Sequence, residues 1–139
     1  MIMKVKLDEG AFEPSRAHAT DGGLDIRAAK YGYIEADSSK VFETSVHVEL
    51  PQGYAGLLVS KSGLNVNHCI TSTGLIDEGF TGEIKVRLYN HSNKDYIVEP
   101  GDKITQLVVI PVEYVDIEIV DEITGGERGN SGYGSTGRK

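Results

Sequence analysis

The sequence predicts an all-β domain, and three observations predict it. Val and Ile together number 25 against 16 for Leu plus Ala, and β-branched side chains suit a pleated, half-buried surface. Apolar and polar residues alternate with period two in five separate runs. Turn signals interrupt these runs every ~8–12 residues, the spacing of a sandwich or barrel.

Taken in order, the runs are Val5-Lys6-Leu7, Leu24-Asp25-Ile26, Val46-His47-Val48-Glu49-Leu50, Ile84-Lys85-Val86-Arg87-Leu88 and Val115-Asp116-Ile117-Glu118-Ile119. Gly56-Leu57-Leu58-Val59 reads as a further strand, and Leu107-Val108-Val109-Ile110 as one buried on both faces. The turns are Asp21-Gly22-Gly23, Pro51-Gln52-Gly53, Glu78-Gly79, Ser92-Asn93 and Pro100-Gly101-Asp102. No eleven-residue window keeps a period of 3.6. One or two helical turns near Ser62-Gly63-Leu64-Asn65-Val66 are the best helix candidate. No internal repeat is present.

The 139 residues predict one domain. Its body, residues 1–123, is expected to end near Ile123. The segment 124–139 holds six glycines in sixteen residues and is expected to be a flexible arm. A single cysteine, Cys69, excludes an intrachain disulfide and suits a reducing compartment. With no apolar signal core and no membrane-length apolar run, a cytoplasmic protein without membrane contact is expected. Asn90-His91-Ser92 fits a glycosylation sequon, read here as chance. The net charge of −7 argues against a broad grip on nucleic acid, which needs a basic face. The arm is +2 and the body −9. Such a body can still bind a small polyanion through a metal ion and a few placed cations.

Four segments could carry chemistry. Gly132-Tyr133-Gly134-Ser135-Thr136-Gly137 satisfies GxGxxG, but a dinucleotide fold needs a helix and an acidic residue after it, and two residues follow. A disordered tail or a phosphate lid, with Arg128, Ser135 and Thr136 as donors and Tyr133 stacking on a base, are both open. Ser60-Lys61-Ser62-Gly63-Leu64-Asn65 suits phosphate oxygens or a polar turn with a short helix. Asp77-Glu78 is a carboxylate pair in a Gly-rich turn, fit for general-base or metal work or for hairpin turn chemistry. Phe80 in that turn suggests a ring facing a pocket or a satellite core. His18, His47, His68 and His91 have no ligand spacing, so a zinc site is excluded.

Five segments in sequence resemble the motifs of the all-β deoxyuridine triphosphatase (dUTPase) family. They are Ala19 to Ala28, Lys61-Ser62-Gly63-Leu64, Gly74 to Gly82, Gly101 to Leu107, and Arg128-Gly129 with Gly132 to Gly137. The resemblance implies a jelly-roll-like (β-clip) subunit, a homotrimer with shared active sites, and Mg²⁺-dependent hydrolysis of dUTP to dUMP and pyrophosphate. It also implies control of the dUTP level and a supply of dUMP for thymidylate synthesis. Asp77 matches the carboxylate that orients and deprotonates the attacking water, and Asp25 the residue that holds hydrated Mg²⁺. Lys61, Ser62, Gly63 and Gln106 match phosphate- and water-contacting positions. Phe80 matches the ring beneath the deoxyribose, and Thr71 and Gly74 lie on the uracil-reading strand. Arg128 matches the γ-phosphate clamp and Tyr133 the lid over uracil, followed by Gly134, Ser135 and Thr136.

Where the family usually has Arg, Tyr and Phe, this chain has Lys61, Phe80 and Tyr133, and the first motif is about two residues shorter. Lys61 lacks the bidentate fork of Arg. Two rivals differ in chemistry: a dCTP deaminase-like enzyme and a trimer that binds nucleotide without turnover. The deaminases carry a glutamate ten residues beyond the position of Asp77, where this chain has Arg87. A pure binder would need neither Asp77 nor the complete arm motif.

Overall fold

The computed structural model describes residues Met1–Lys139. Ten strands and one helix follow in order: β1 (Lys4–Leu7), β2 (Leu24–Arg27), β3 (Gly32–Ile34), β4 (Ser38–Glu49), β5 (Tyr54–Val59), α1 (Ser62–His68), β6 (Ile70–Thr71), β7 (Thr73–Ile76), β8 (Glu83–Asn90), β9 (Tyr96–Val98) and β10 (Lys103–Pro111). All pairings are antiparallel. One sheet has the order β1-β4-β8-β6, a second β2-β10-β5-β7, and β3 pairs with β9. The all-β, jelly-roll-like expectation holds.

Alternation explains the core. Phe42, Val46 and Val48 of β4 and Ile84, Val86 and Leu88 of β8 point inward, while their neighbours point out. They meet Ile26, Leu58, Ile76, Ile104 and Leu107 of the second sheet in one cluster of 16 buried residues. Each such side chain contributes about 1.5–3 kcal/mol relative to exposure.

Polar groups in this core are paired. Thr44 donates to the Ile84 carbonyl at 2.6 Å and accepts the Val46 N–H at 3.2 Å. This bridges an irregularity in β4, where Ser45 has a left-handed φ of 58° and the pairing with β8 shifts register. The Asn90 amide donates to the Lys94 carbonyl at 2.7 Å and accepts the Ser92 N–H at 3.0 Å. The residue is buried. The sequon is therefore a structural corner, in keeping with its reading as chance.

Four features differ from the sequence expectations. Only Leu107 of the run Leu107–Ile110 is fully buried, because the outer face of its sheet is left half-open. β7 and β8 belong to different sheets, so Asp77–Gly82 is a crossing between sheets rather than a hairpin turn. α1 is longer than the Ser62–Val66 candidate and ends at Cys69, whose left-handed backbone donates its N–H to the Asn65 carbonyl at 3.1 Å. Val115–Ile119 forms no strand: its alternating pattern pairs with none of the sheet edges of the subunit. The last strand ends at Pro111, and from Val115 to Lys139 every hydrogen bond is local to the segment.

Candidate active site

Register across the second sheet sets the first group of residues. Asp25 lies opposite Gln106, Gln106 opposite Val59, and Val59 opposite Thr73. Two residues beyond Val59, the chain reaches Lys61 and enters α1 at Ser62 and Gly63, both exposed. Asp25 is only 5% exposed. Its carboxylate pairs with the Lys61 ammonium on one oxygen and with Lys103 at 2.8 Å on the other. Burial pushes the Asp25 carboxyl upward, but Lys103 and Lys61 together hold it below its ordinary value. Gln106 donates to the Ser60 carbonyl at 3.1 Å. Gly23 lets this amide in: a Cβ there would sit 2.4 Å from its oxygen. The Ser60 hydroxyl donates to the Ser72 carbonyl at 3.0 Å and accepts the Ser72 N–H at 2.9 Å, fixing the kink between β6 and β7.

The second group lies at the far end of β7. Gly74, Asp77 and Phe80 line a pocket of about 610 Å³, with Leu58, Glu83 and Lys85 on its other walls. Asp77 is exposed, and its carbonyl accepts the Phe80 N–H at 3.0 Å, which closes the turn. The Phe80 ring rests on Gly82, where an added Cβ would lie 2.6 Å from the ring. The carboxylate pair divides. Glu78 turns away from its neighbour, accepting the Gly53 N–H at 3.2 Å and the Tyr114 hydroxyl.

These groups do not meet within one subunit. Asp77 is four residues beyond Thr73 along the strand, about 13 Å at the usual rise, while Asp25 is on the Thr73 row. Arg128, Tyr133, Gly134, Ser135 and Thr136 lie on the exposed terminal segment and bond to neither group. Thr71 is on β6, in the first sheet, with its hydroxyl 2.8 Å from His91 Nε2 and outside the pocket lining. Sequence reasoning gave no role to Lys103, although it stands within the fourth motif. Only the pairing of β10 with β2 shows what it faces.

No set of three or more His, Cys, Asp or Glu side chains gathers to hold a metal. Both oxygens of the buried Asp25 carboxylate are taken by lysine ammonium groups, so a hydrated cation arriving on a phosphate chain would reach it only as Lys61 or Lys103 turns to the phosphates. No helix is long and apolar enough to cross a membrane.

An all-β subunit with two lysines around a carboxylate at one place and a carboxylate beside an exposed aromatic ring at another presents groups of the kind that meet a phosphate chain and a flat ring. A family model described as dUTPase matches residues 11–137. The deoxyuridine 5′-triphosphate nucleotidohydrolase of Clostridium acetobutylicum is 41% identical over 137 residues, covering 96% of this chain and 94% of that protein. The protein of the same name from Eremothecium gossypii is 37% identical, with coverage of 97% and 90%. Among solved structures, the Staphylococcus bacteriophage 80alpha dUTPase with dUpNHpp has a TM-score of 0.92 at 30% identity, covering 99% of both chains. A variant dUTPase from phage phi11 of S. aureus, described with the coordination of a structural Mg(II) ion, has a TM-score of 0.81 at 29% identity. It covers 88% of this chain and 98% of that one. The chain belongs to the dUTPase family, the family that its five motifs resemble.

Proposed function

We propose that this enzyme cleaves dUTP between the α-phosphorus and the oxygen bridging to the β-phosphorus, giving dUMP and pyrophosphate. Asp77 orients a water and takes its proton as the water oxygen attacks the α-phosphorus; the bridging oxygen leaves with the pyrophosphate. Positioned general-base catalysis contributes roughly 10²–10⁴ in rate. The observation that carries this reading is the Asp77–Gly82 crossing, an exposed carboxylate beside an aromatic floor on one pocket wall.

Lys61, Ser62, Gly63 and Gln106 contact the phosphates and the water. Phe80 lies beneath the deoxyribose, and backbone groups from Thr71 to Gly74 read the uracil edge. A site that hydrogen-bonds its base can reject analogues by ~10⁴–10⁵. Arg128 clamps the γ-phosphate, Tyr133 covers the base, and Gly134, Ser135 and Thr136 supply donors to the phosphates. Asp25 would hold a hydrated Mg²⁺ through water, and the ion would supply charge neutralisation on the phosphate oxygens.

The working form is a homotrimer with shared active sites. Two observations support it: the separation of the Asp25 and Asp77 groups, and the exposed apolar run Val115, Ile117 and Ile119, which has no partner within the subunit. Residues 1–123 act as the catalytic body and 124–139 as a closing lid. The setting is cytoplasmic. Against deamination, Arg87 points its guanidinium to the Ser39 hydroxyl at 2.9 Å, outside the pocket lining.

Pyrophosphate release with Mg²⁺ from dUTP, dCTP, dTTP and UTP, with Asp77→Asn as control, tests the reading. Fast release from dUTP alone, reduced at least ~100-fold in the variant, is expected. Release that survives the substitution removes Asp77 from its role, and no release from any substrate overturns the reading.

A further inference from the structure

The irregular stretch of β4 is tied to the Phe80 loop through His47. The His47 side chain is one-fifth exposed and sits between two acceptors. Nδ1 is 2.8 Å from the Thr81 carbonyl, and Nε2 is 2.7 Å from the Asp8 carboxylate. A carbonyl can only accept, and so can an ionised carboxylate. With Asp8 ionised, only a ring protonated on both nitrogens, an imidazolium, donates to both acceptors at once. Thr81 lies between Phe80 and Gly82, the ring and its seat.

We propose that protonated His47 is a positioning residue for the floor of the nucleoside pocket: it holds the Thr81 carbonyl and so keeps the Phe80 ring on Gly82. The proposal rests on the reading of Phe80 as the surface beneath the deoxyribose. A neutral ring can keep only one of the two bonds as a donor. The anionic Asp8, the stronger acceptor, keeps the remaining N–H, so the bond lost is the one to Thr81, whose carbonyl then faces a ring lone pair.

The surrounding charges favour the proton. Asp8 is the near anion, itself held low by Lys6 at 3.0 Å and by His47. Lys6, the register partner on β1, opposes the proton. Glu83, the partner on β8, spends one oxygen on the Ser45 N–H at 2.9 Å. On β4 itself, Glu43 pairs with Lys30 and Glu49 with Lys4. The Thr81 carbonyl and Asp8 raise the His47 pKa above its ordinary value, against burial and Lys6.

Steady-state kinetics on the full chain tests this across about pH 6 to 9, in the wild type, His47→Gln and Asp8→Asn. Substrate ionisation is common to all three, so differences between the profiles isolate the ring. The wild-type KM for dUTP should rise about tenfold more than that of His47→Gln over this range, with kcat following the same course in both. In Asp8→Asn the extra rise should begin at lower pH. Phe80 ring resonances, read by NMR, should follow the His47 titration. Parallel KM profiles in all three proteins, or a Phe80 ring indifferent to that titration, would overturn the proposal. Absence of dUTP turnover in the wild type would instead sink the reading of the pocket. The Phe80 response would then still decide whether His47 positions the ring.

Discussion

At the scale of single residues, close approach matters as much as charge. Gly82 gives the Phe80 ring its seat, and a methyl group there would meet it at 2.6 Å. The ring is half-exposed, so it can swing away at little cost in stability. Gly82→Ala should therefore leave Tm nearly unchanged while shifting the ring; if Phe80 is the surface beneath the deoxyribose, as proposed, the shift opens space for a 2′-hydroxyl. The ratio of kcat/KM for dUTP over UTP should fall about tenfold or more. An unchanged ratio would mean that the ring does not form the sugar floor. Asp25 illustrates the opposite economy of space. A carboxylate this buried is tolerated because two ammonium groups face it; either one alone balances its charge, and only the loss of both would leave it uncompensated. Of the two, Lys61 stands just before α1 beside Ser62, whereas Lys103 lies on β10.

At the scale of elements, the irregularity in β4 joins three parts of the chain. Ser45 accepts the Asp8 N–H at 2.9 Å, its own N–H reaches Glu83, and His47 reaches Thr81. Because folding raises the His47 pKa, its contribution to stability is complete below the ordinary value of 6.5 and is lost as pH rises through the raised value. The Tm gap between wild type and His47→Gln should accordingly be widest in mild acid and close as the solution becomes alkaline. A gap independent of pH would show that the ring acts through packing alone. Elements of this kind were only partly legible in the sequence. Strong alternation revealed β8 and the second half of β4, because one buried face imposes period two; β1 and β2 alternate as well, although β1 is exposed throughout and β2 buries the adjacent Asp25 and Ile26. The first half of β4 reads as polar through Ser38-Ser39-Lys40, and β3 and β9 are three residues each, too short to show any period. The site motifs were readable because each is local. What His47 and Lys103 face depends on pairing between distant strands, which no local pattern encodes. The crossing of β7 and β8 into different sheets was hidden for the same reason.

At the scale of the whole molecule, the division of the site makes a sharp prediction. If Asp25 and Ser62 of one subunit serve the Asp77 of another, two inactive variants should repair each other. Asp77→Asn and Ser62→Ala chains, unfolded and refolded together, should recover about a quarter of wild-type activity through sites assembled from two intact halves. No recovery, in a mixture shown to exchange subunits, would place every catalytic group within one chain. The run Val115, Ile117 and Ile119, each more than three-quarters exposed, has a further consequence. Side chains that are greasy in isolation and covered only by a second copy tie the native state to mass action. If a second copy covers this run, activity per molecule should fall on dilution, out of proportion to the amount of chain removed, and a specific activity that holds constant across a dilution series would show that the run needs no partner.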